Sequence, residues 1–145
     1  TTPRSPRPPP FPPTPLLLSA PDKALRSCNG PTRQGTIDFS RAHKIGFGTF
    51  TVDAETQMGR RRIPNEEIAE AAQANPDIMI AFGSIDPHKG KMGGREARKL
   101  VEEYGVRGFK FHPTVQGFDV TDKMAWPICE VMAEHKVPAV CHSGH

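Results

Sequence analysis

Residues 77–113 read DIMIAFGSIDPHKGKMGGREARKLVEEYGVRGFKFHP, and the changes of pattern within this stretch decide the fold. Asp77 to Asp86 is a continuous apolar run, which suits a strand buried on both faces. DPHKGKMGG then supplies loop residues. GREARKLVEEYG sets Ala97, Leu100 and Val101 on one helical face and stops at Gly105. VRGFKFHP, from Val106 to Pro113, returns to strand. Strand, loop, helix and strand in this order predict parallel strands joined by a helical crossover.

The pattern extends both ways. Upstream, IGFGTFTVD (Ile45 to Asp53) alternates aromatic and β-branched residues as a strand does. IPNEEIAEAAQANP follows as a helix, with Pro64 and the acidic Glu66 and Glu67 at its start. Ile68, Ala71 and Ala72 form its apolar face, and Asn75-Pro76 ends it. Downstream, TVQGFDV reads as loop and TDKMAWPICEVMAEHK as a helix. Pro127 falls near the first turn of that helix, and Met124, Trp126, Ile128, Val131 and Met132 have core spacing. VPAVCHSG is a last strand. Strands and helices thus alternate regularly, as in an open doubly wound sheet or part of a (β/α)8 barrel. No G-x-G-x-x-G follows a strand, so a dinucleotide fold lacks its fingerprint.

Composition divides the chain. Most of the 16 prolines lie in the first thirty-one residues. Such density fixes φ and removes backbone donors, so 1–40 is expected to be irregular, disordered or foreign to the domain at 44–145. A PxxP ligand in this arm would make the chain a binding module instead. The formal net charge of +3 is too small to argue for nucleic acid. Arg60, Arg61 and Arg62 are expected to be a solvated patch. Cys28, Cys129 and Cys141 lack C-x-x-C spacing, so reduced thiols and a cytoplasmic location are expected. No apolar run approaches the roughly 18 residues of a membrane span, so no membrane partner is expected.

The polar residues able to do chemistry fall at the carboxyl ends of successive strands: Asp53, Asp86, Lys110 with His112, and His142. Barrel enzymes keep their sites at that end. His142, between an apolar strand and a Ser-Gly turn, has the rigid placement that a metal ligand needs, or it caps the strand by hydrogen bonding. Lys110 and His112 share one strand face by alternation. A lysine turned inward needs a carboxylate, substrate or metal-bound group, unless both residues lie at a solvated rim. Asp86 most simply makes an Asx turn. His43, His88 and His135 have no constellation around them.

RRRIPNEEIAEAAQANPDIMIAFGSIDPHKG, GVRGFKFHPTVQGF and VPAVCHSGH together resemble the metal-dependent amidohydrolase superfamily, in the branch that contains aminocarboxymuconate semialdehyde decarboxylase. The resemblance implies a partial (β/α)8 TIM barrel, about strands two to five, behind a proline-rich irregular segment. It also implies one divalent metal, zinc or alternatively manganese. The implied chemistry is hydrolysis by metal-activated water, or non-oxidative decarboxylation of an aromatic or muconate-like acid, on a small carboxylate or acyl substrate. His142 then matches a metal ligand. Lys110 and His112 match the K-x-H-P beside the substrate, and His145 lines the pocket. The family's H-x-H pair is missing, and its later ligands would lie beyond His145. A barrel of this type takes about 250 residues. The chain alone is therefore expected to be incomplete and inactive, and open sheet edges to favour homo-oligomers.

Overall fold

The computed structural model describes residues 32–143. The chain divides into two units, Thr1–Thr36 and Ile37–His145. In the first, the Thr32 hydroxyl oxygen accepts a hydrogen bond from the Gly35 N–H at 3.0 Å, the contact of a helix N-cap. Helix α1 (Arg33–Ala42) starts there. Irregular chain was the expectation as far as about residue 40, and over 33–40 this helix corrects it. Pro31 is the last proline before Pro64, so nothing in between prevents a capped helix. The rest of the proline-rich arm, with Cys28, lies outside the described residues.

The second unit is α/β. Strand β1 (Phe47–Thr49) leads through the single turn α2 (Glu55–Met58) and helix α3 (Asn65–Ala74) to β2 (Met79–Ala81). A 3-10 turn (Pro87–Lys89) and helix α4 (Lys91–Glu102) lead to β3 (Phe109–Phe111). A second single turn, α5 (Pro113–Gln116), interrupts the stretch expected to be loop. A 3-10 turn (Lys123–Ala125) and helix α6 (Trp126–His135) then precede β4 (Ala139–Cys141).

The four strands of the described residues run parallel. β1 pairs with β2 in the register Phe47 to Met79, and β3 pairs with β4 in the register Lys110 to Val140. Just past β2, Gly83 forms a parallel bridge with Phe109, and the Lys110 N–H donates to the Gly83 carbonyl at 2.7 Å. The spatial order is therefore the chain order, as crossover connections between neighbouring strands produce.

Alternation sorts the side chains. Met79, Ala81, Phe109 and Phe111 turn to the helices and join Ile68, Ala97, Leu100, Ile128 and Val131 in the core. The opposite face carries Ile80 and Val140, which are 49% and 42% exposed. The run Asp77 to Asp86 is therefore buried on both faces, as expected, only from Gly83 to Asp86; within β2 the described helices cover one side and Ile80 on the other is exposed. Two glycines allow close approach. A Cβ on Gly108 would sit 2.5 Å from the Phe82 ring, and one on Gly94 of α4 would sit 2.8 Å from the Pro127 carbonyl oxygen of α6. Trp126 and Met124, placed in the core by their spacing, are exposed instead. They precede the turn of α6 that reaches the core at Ile128, and the Lys123 ammonium lies 5.6 Å from the Trp126 ring centre.

Candidate functional site

The carboxyl ends of the strands carry two polar groups of residues. The first is centred on Asp53, just beyond β1 and fully buried. One Asp53 oxygen accepts from the Arg62 guanidinium at 2.7 Å, the Lys89 ammonium at 2.7 Å and the Asp86 N–H at 3.0 Å. Arg62 also pairs with Glu96 of α4. Burial would lower the Arg62 pKa, but the attraction of Glu96 and then Asp53 outweighs it and raises the value. Arg62 is thus drawn inward, which corrects the expected solvated patch for this residue; Arg60 and Arg61 are exposed. Asn65, the first residue of α3, holds the segment just past β2 by a reciprocal pair. Its amide nitrogen donates to the Ser84 carbonyl at 2.8 Å, and its amide oxygen accepts from the Ser84 N–H at 2.9 Å.

Asp86 is an Asx turn, as its sequence setting suggests. One carboxylate oxygen accepts from the His88 N–H and the other from the Thr56 N–H, both at 3.0 Å. Burial pushes its carboxyl up, but the hydrogen bonds from Thr56 and His88 outweigh this and hold it below the usual carboxylate range.

The second group contains the residues singled out in the sequence. Lys110 lies in β3 with 8% of its surface exposed. Its ammonium is 5.4 Å from the Phe50 ring centre, and it forms no ion pair with a carboxylate among the described residues. His112 follows β3 and His142 follows β4. The structure stacks their rings, with centroids 4.1 Å apart and planes at 17°. The His142 N–H donates to the Phe111 carbonyl at 2.9 Å. The buried His112 Nδ1 has no hydrogen-bond partner among the described residues. Lys110, His112 and His142 therefore lie at the same end of neighbouring strands. His145 lies outside the described residues. His43 and His135 bond to carbonyl oxygens one helical turn back, at Phe39 and Val131.

Sequence reasoning placed Asp53 at the end of its strand but missed the network around it, with Glu96 and Lys89, and it missed Gln116. It also left His88 without partners, yet a His88 ring nitrogen meets the Gln116 carbonyl oxygen at 2.9 Å. A signal for Gln116 was present. Pro113 and Gly117 bracket one helical turn, which returns residue 116 to residue 112.

The donors suit a divalent metal in kind but not in number. The imidazole of His142 is exposed and its ring nitrogens make no hydrogen bond among the described residues. Yet those residues contain no group of three His, Cys, Asp or Glu side chains able to hold a metal ion.

The family model described as Amidohydrolase matches residues 21–145, and the chain belongs to this family. Among solved structures, it is similar to 5-carboxyvanillate decarboxylase LigW2 from Novosphingobium aromaticivorans, solved with manganese and 3-methoxy-4-hydroxy-5-nitrobenzoic acid bound. The identity is 27% and the TM-score 0.50, over 54% of this chain and 22% of that one. It is also similar to 4-oxalomesaconate hydratase LigJ from Rhodopseudomonas palustris, at 30% identity and a TM-score of 0.45, over 54% of this chain and 25% of that one. The chain thus spans about a quarter or less of these structures' length.

Proposed function

We propose that this chain supplies the carboxylate-binding part of the active site in an amidohydrolase-family lyase that decarboxylates a small aromatic acid. The observation that carries the reading is Lys110: a side chain 8% exposed, on the strand that leads to the stacked imidazoles, with no ion pair to a carboxylate of the described residues. A buried charge is costly until it is paired, so the site favours an anion that arrives with the substrate. Ile80 and Val140 on the same sheet face, and exposed Phe50 beside the ammonium, offer apolar surface to a ring. The LigW2 structure, with its bound nitrobenzoic acid, supports a carboxylated aromatic ligand and a lyase rather than the hydrolase first expected.

In this reading the Lys110 ammonium orients the substrate carboxylate, and the stacked His112 and His142 border the reacting end. His142 is the metal ligand contributed by the described residues, with the remaining ligands supplied from elsewhere. A divalent ion, manganese as in LigW2 or zinc, would supply positive charge next to the carboxylate when bound. The four strands are read as the arc of a (β/α)8 barrel from about the second strand to the fifth. The chain alone then binds a ligand without turning it over.

The test is a titration of the purified chain with 3-methoxy-4-hydroxy-5-nitrobenzoic acid, followed by the absorbance of the nitrophenol. Saturable binding is expected, weakened about 10- to 100-fold by Lys110→Met, the usual value of a charge-assisted hydrogen bond. Equal binding by both proteins, or equal binding of an analogue without the carboxyl group, would overturn the reading.

A further inference from the structure

We propose that Gln116 is the positioning residue of this site, holding His112 in its stack against His142 by tying the ends of three strands together. Gln116 is fully buried. Its amide oxygen accepts from the His112 N–H at 2.7 Å. Its amide nitrogen donates to the Asp53 carbonyl at 2.7 Å and to the Ile85 carbonyl at 3.2 Å. A buried amide needs such partners at both ends, and here each partner follows a different strand: β1, β2 or β3.

His112 needs the tie. Its backbone, at φ −130° and ψ 81°, has left the strand, so its N–H finds an acceptor in the Gln116 side chain. The turn that carries Gln116 is itself fixed. Gly117 ends it at φ 65°, and a Cβ there would lie 2.7 Å from the Gln57 side chain. No other residue is therefore easily placed where the turn closes. The Gln116 amide oxygen bonds to the His112 N–H, so it acts through the backbone of His112. The proposal rests on the reading above only in treating the two imidazoles as the substrate-facing pair.

The test uses the ring-proton NMR signals of His112 and His142 in the purified chain. Stacked rings shield one another, so both sets of signals lie away from those of free imidazole. Gln116→Met, similar in length but without hydrogen bonds, is expected to move both sets toward the free values. Leu100→Ala, a core change outside the tie, is expected to leave them in place. Amide exchange in the wild-type chain is an independent arm that decides the matter if Gln116→Met fails to fold. The His112 N–H is expected to exchange at least about tenfold more slowly than the Thr114 N–H in the first turn of α5, because it is bonded to a fully buried residue. Ring signals unmoved in folded Gln116→Met, or equal exchange at 112 and 114, would overturn the proposal. Failure of wild-type chain to bind the nitrobenzoic acid would instead overturn the functional reading and leave the tie standing.

Discussion

At the scale of residues, Asp86 shows how one carboxylate can organise a rim. It ends the apolar run after β2, and both of its oxygens accept backbone N–H groups. The His88 contact was legible, since Asp-Pro-His after a strand is a turn signal and the contact spans two residues. The Thr56 contact was not, because that partner lies thirty residues upstream. The same division holds for Lys110, whose place on its strand follows from alternation, whereas the absence of an ion-pair partner among the described residues depends on what the fold brings near. Asp86 also sets a pH dependence. Its folded pKa is depressed, so the unfolded chain binds the proton more tightly. The stability it contributes is present above the unfolded carboxyl value of about 3.9 and is lost as pH falls through the lower folded value. Asp86→Asn is expected to lower unfolding free energy by about 1 kcal/mol at neutral pH, as loss of a comparable cap does. The gap between the two proteins should narrow in urea titrations as pH drops below 4 toward 2, as expected on the same linkage argument. A gap that widens toward acid would contradict the assignment.

At the scale of elements, helices α3 and α4 were legible because their signals are local. Pro64 with Glu66 and Glu67 marks one start, and the spacing of Ala97 and Leu100 marks one buried face. Strand lengths were less so, because pairing rather than apolar content sets them. Asp77 to Asp86 is apolar over most of its length, yet the paired strand is Met79–Ala81. Turn α5 is hidden in the sequence because Pro113 continues the strand stretch VRGFKFHP and is at the same time the first residue of a helical turn. The pairing of α4 with α6 was also invisible, since it depends on a glycine whose partner lies in another helix. Gly94→Ala tests that pairing. Alanine is favoured over glycine in a helix by about 1 kcal/mol. The added Cβ would sit 2.8 Å from a backbone oxygen, which cannot rotate away as a side chain can. Overpacking typically costs about 1–3 kcal/mol, so a net loss of about 1 kcal/mol is expected in urea unfolding. Unchanged or raised stability would show that α4 and α6 separate without cost.

At the scale of the whole molecule, four parallel strands in chain order explain why the candidate site is one-sided. The helices cover one face, and the opposite face gathers Lys110 and exposed Ile80 and Val140. Alternation of strands and helices made the parallel sheet legible, but no sequence rule shows which face the described residues leave open. Every residue of β4 is exposed, and its one strand partner among the described residues is β3. Unpaired N–H and C=O groups along such an edge are a template for another strand, and the apolar residues beside it add a hydrophobic gain on contact. The purified chain is therefore expected to self-associate with rising concentration, with an apparent sedimentation coefficient that climbs across the micromolar range. Val140→Lys places a charge on the exposed strand opposite Lys110, so that any apolar surface brought against the strand would have to strip water from an ammonium group. It should shift association to concentrations about tenfold higher, equivalent to about 1.4 kcal/mol of contact energy. Core packing should be untouched, because Val140 lies on the face away from the helices, so the thermal unfolding midpoint should fall only by the few degrees that repulsion from Lys110 costs. A parent chain that sediments as a monomer at every concentration, or a Val140→Lys variant that associates as readily as the parent, would show that this edge and face are not adhesive.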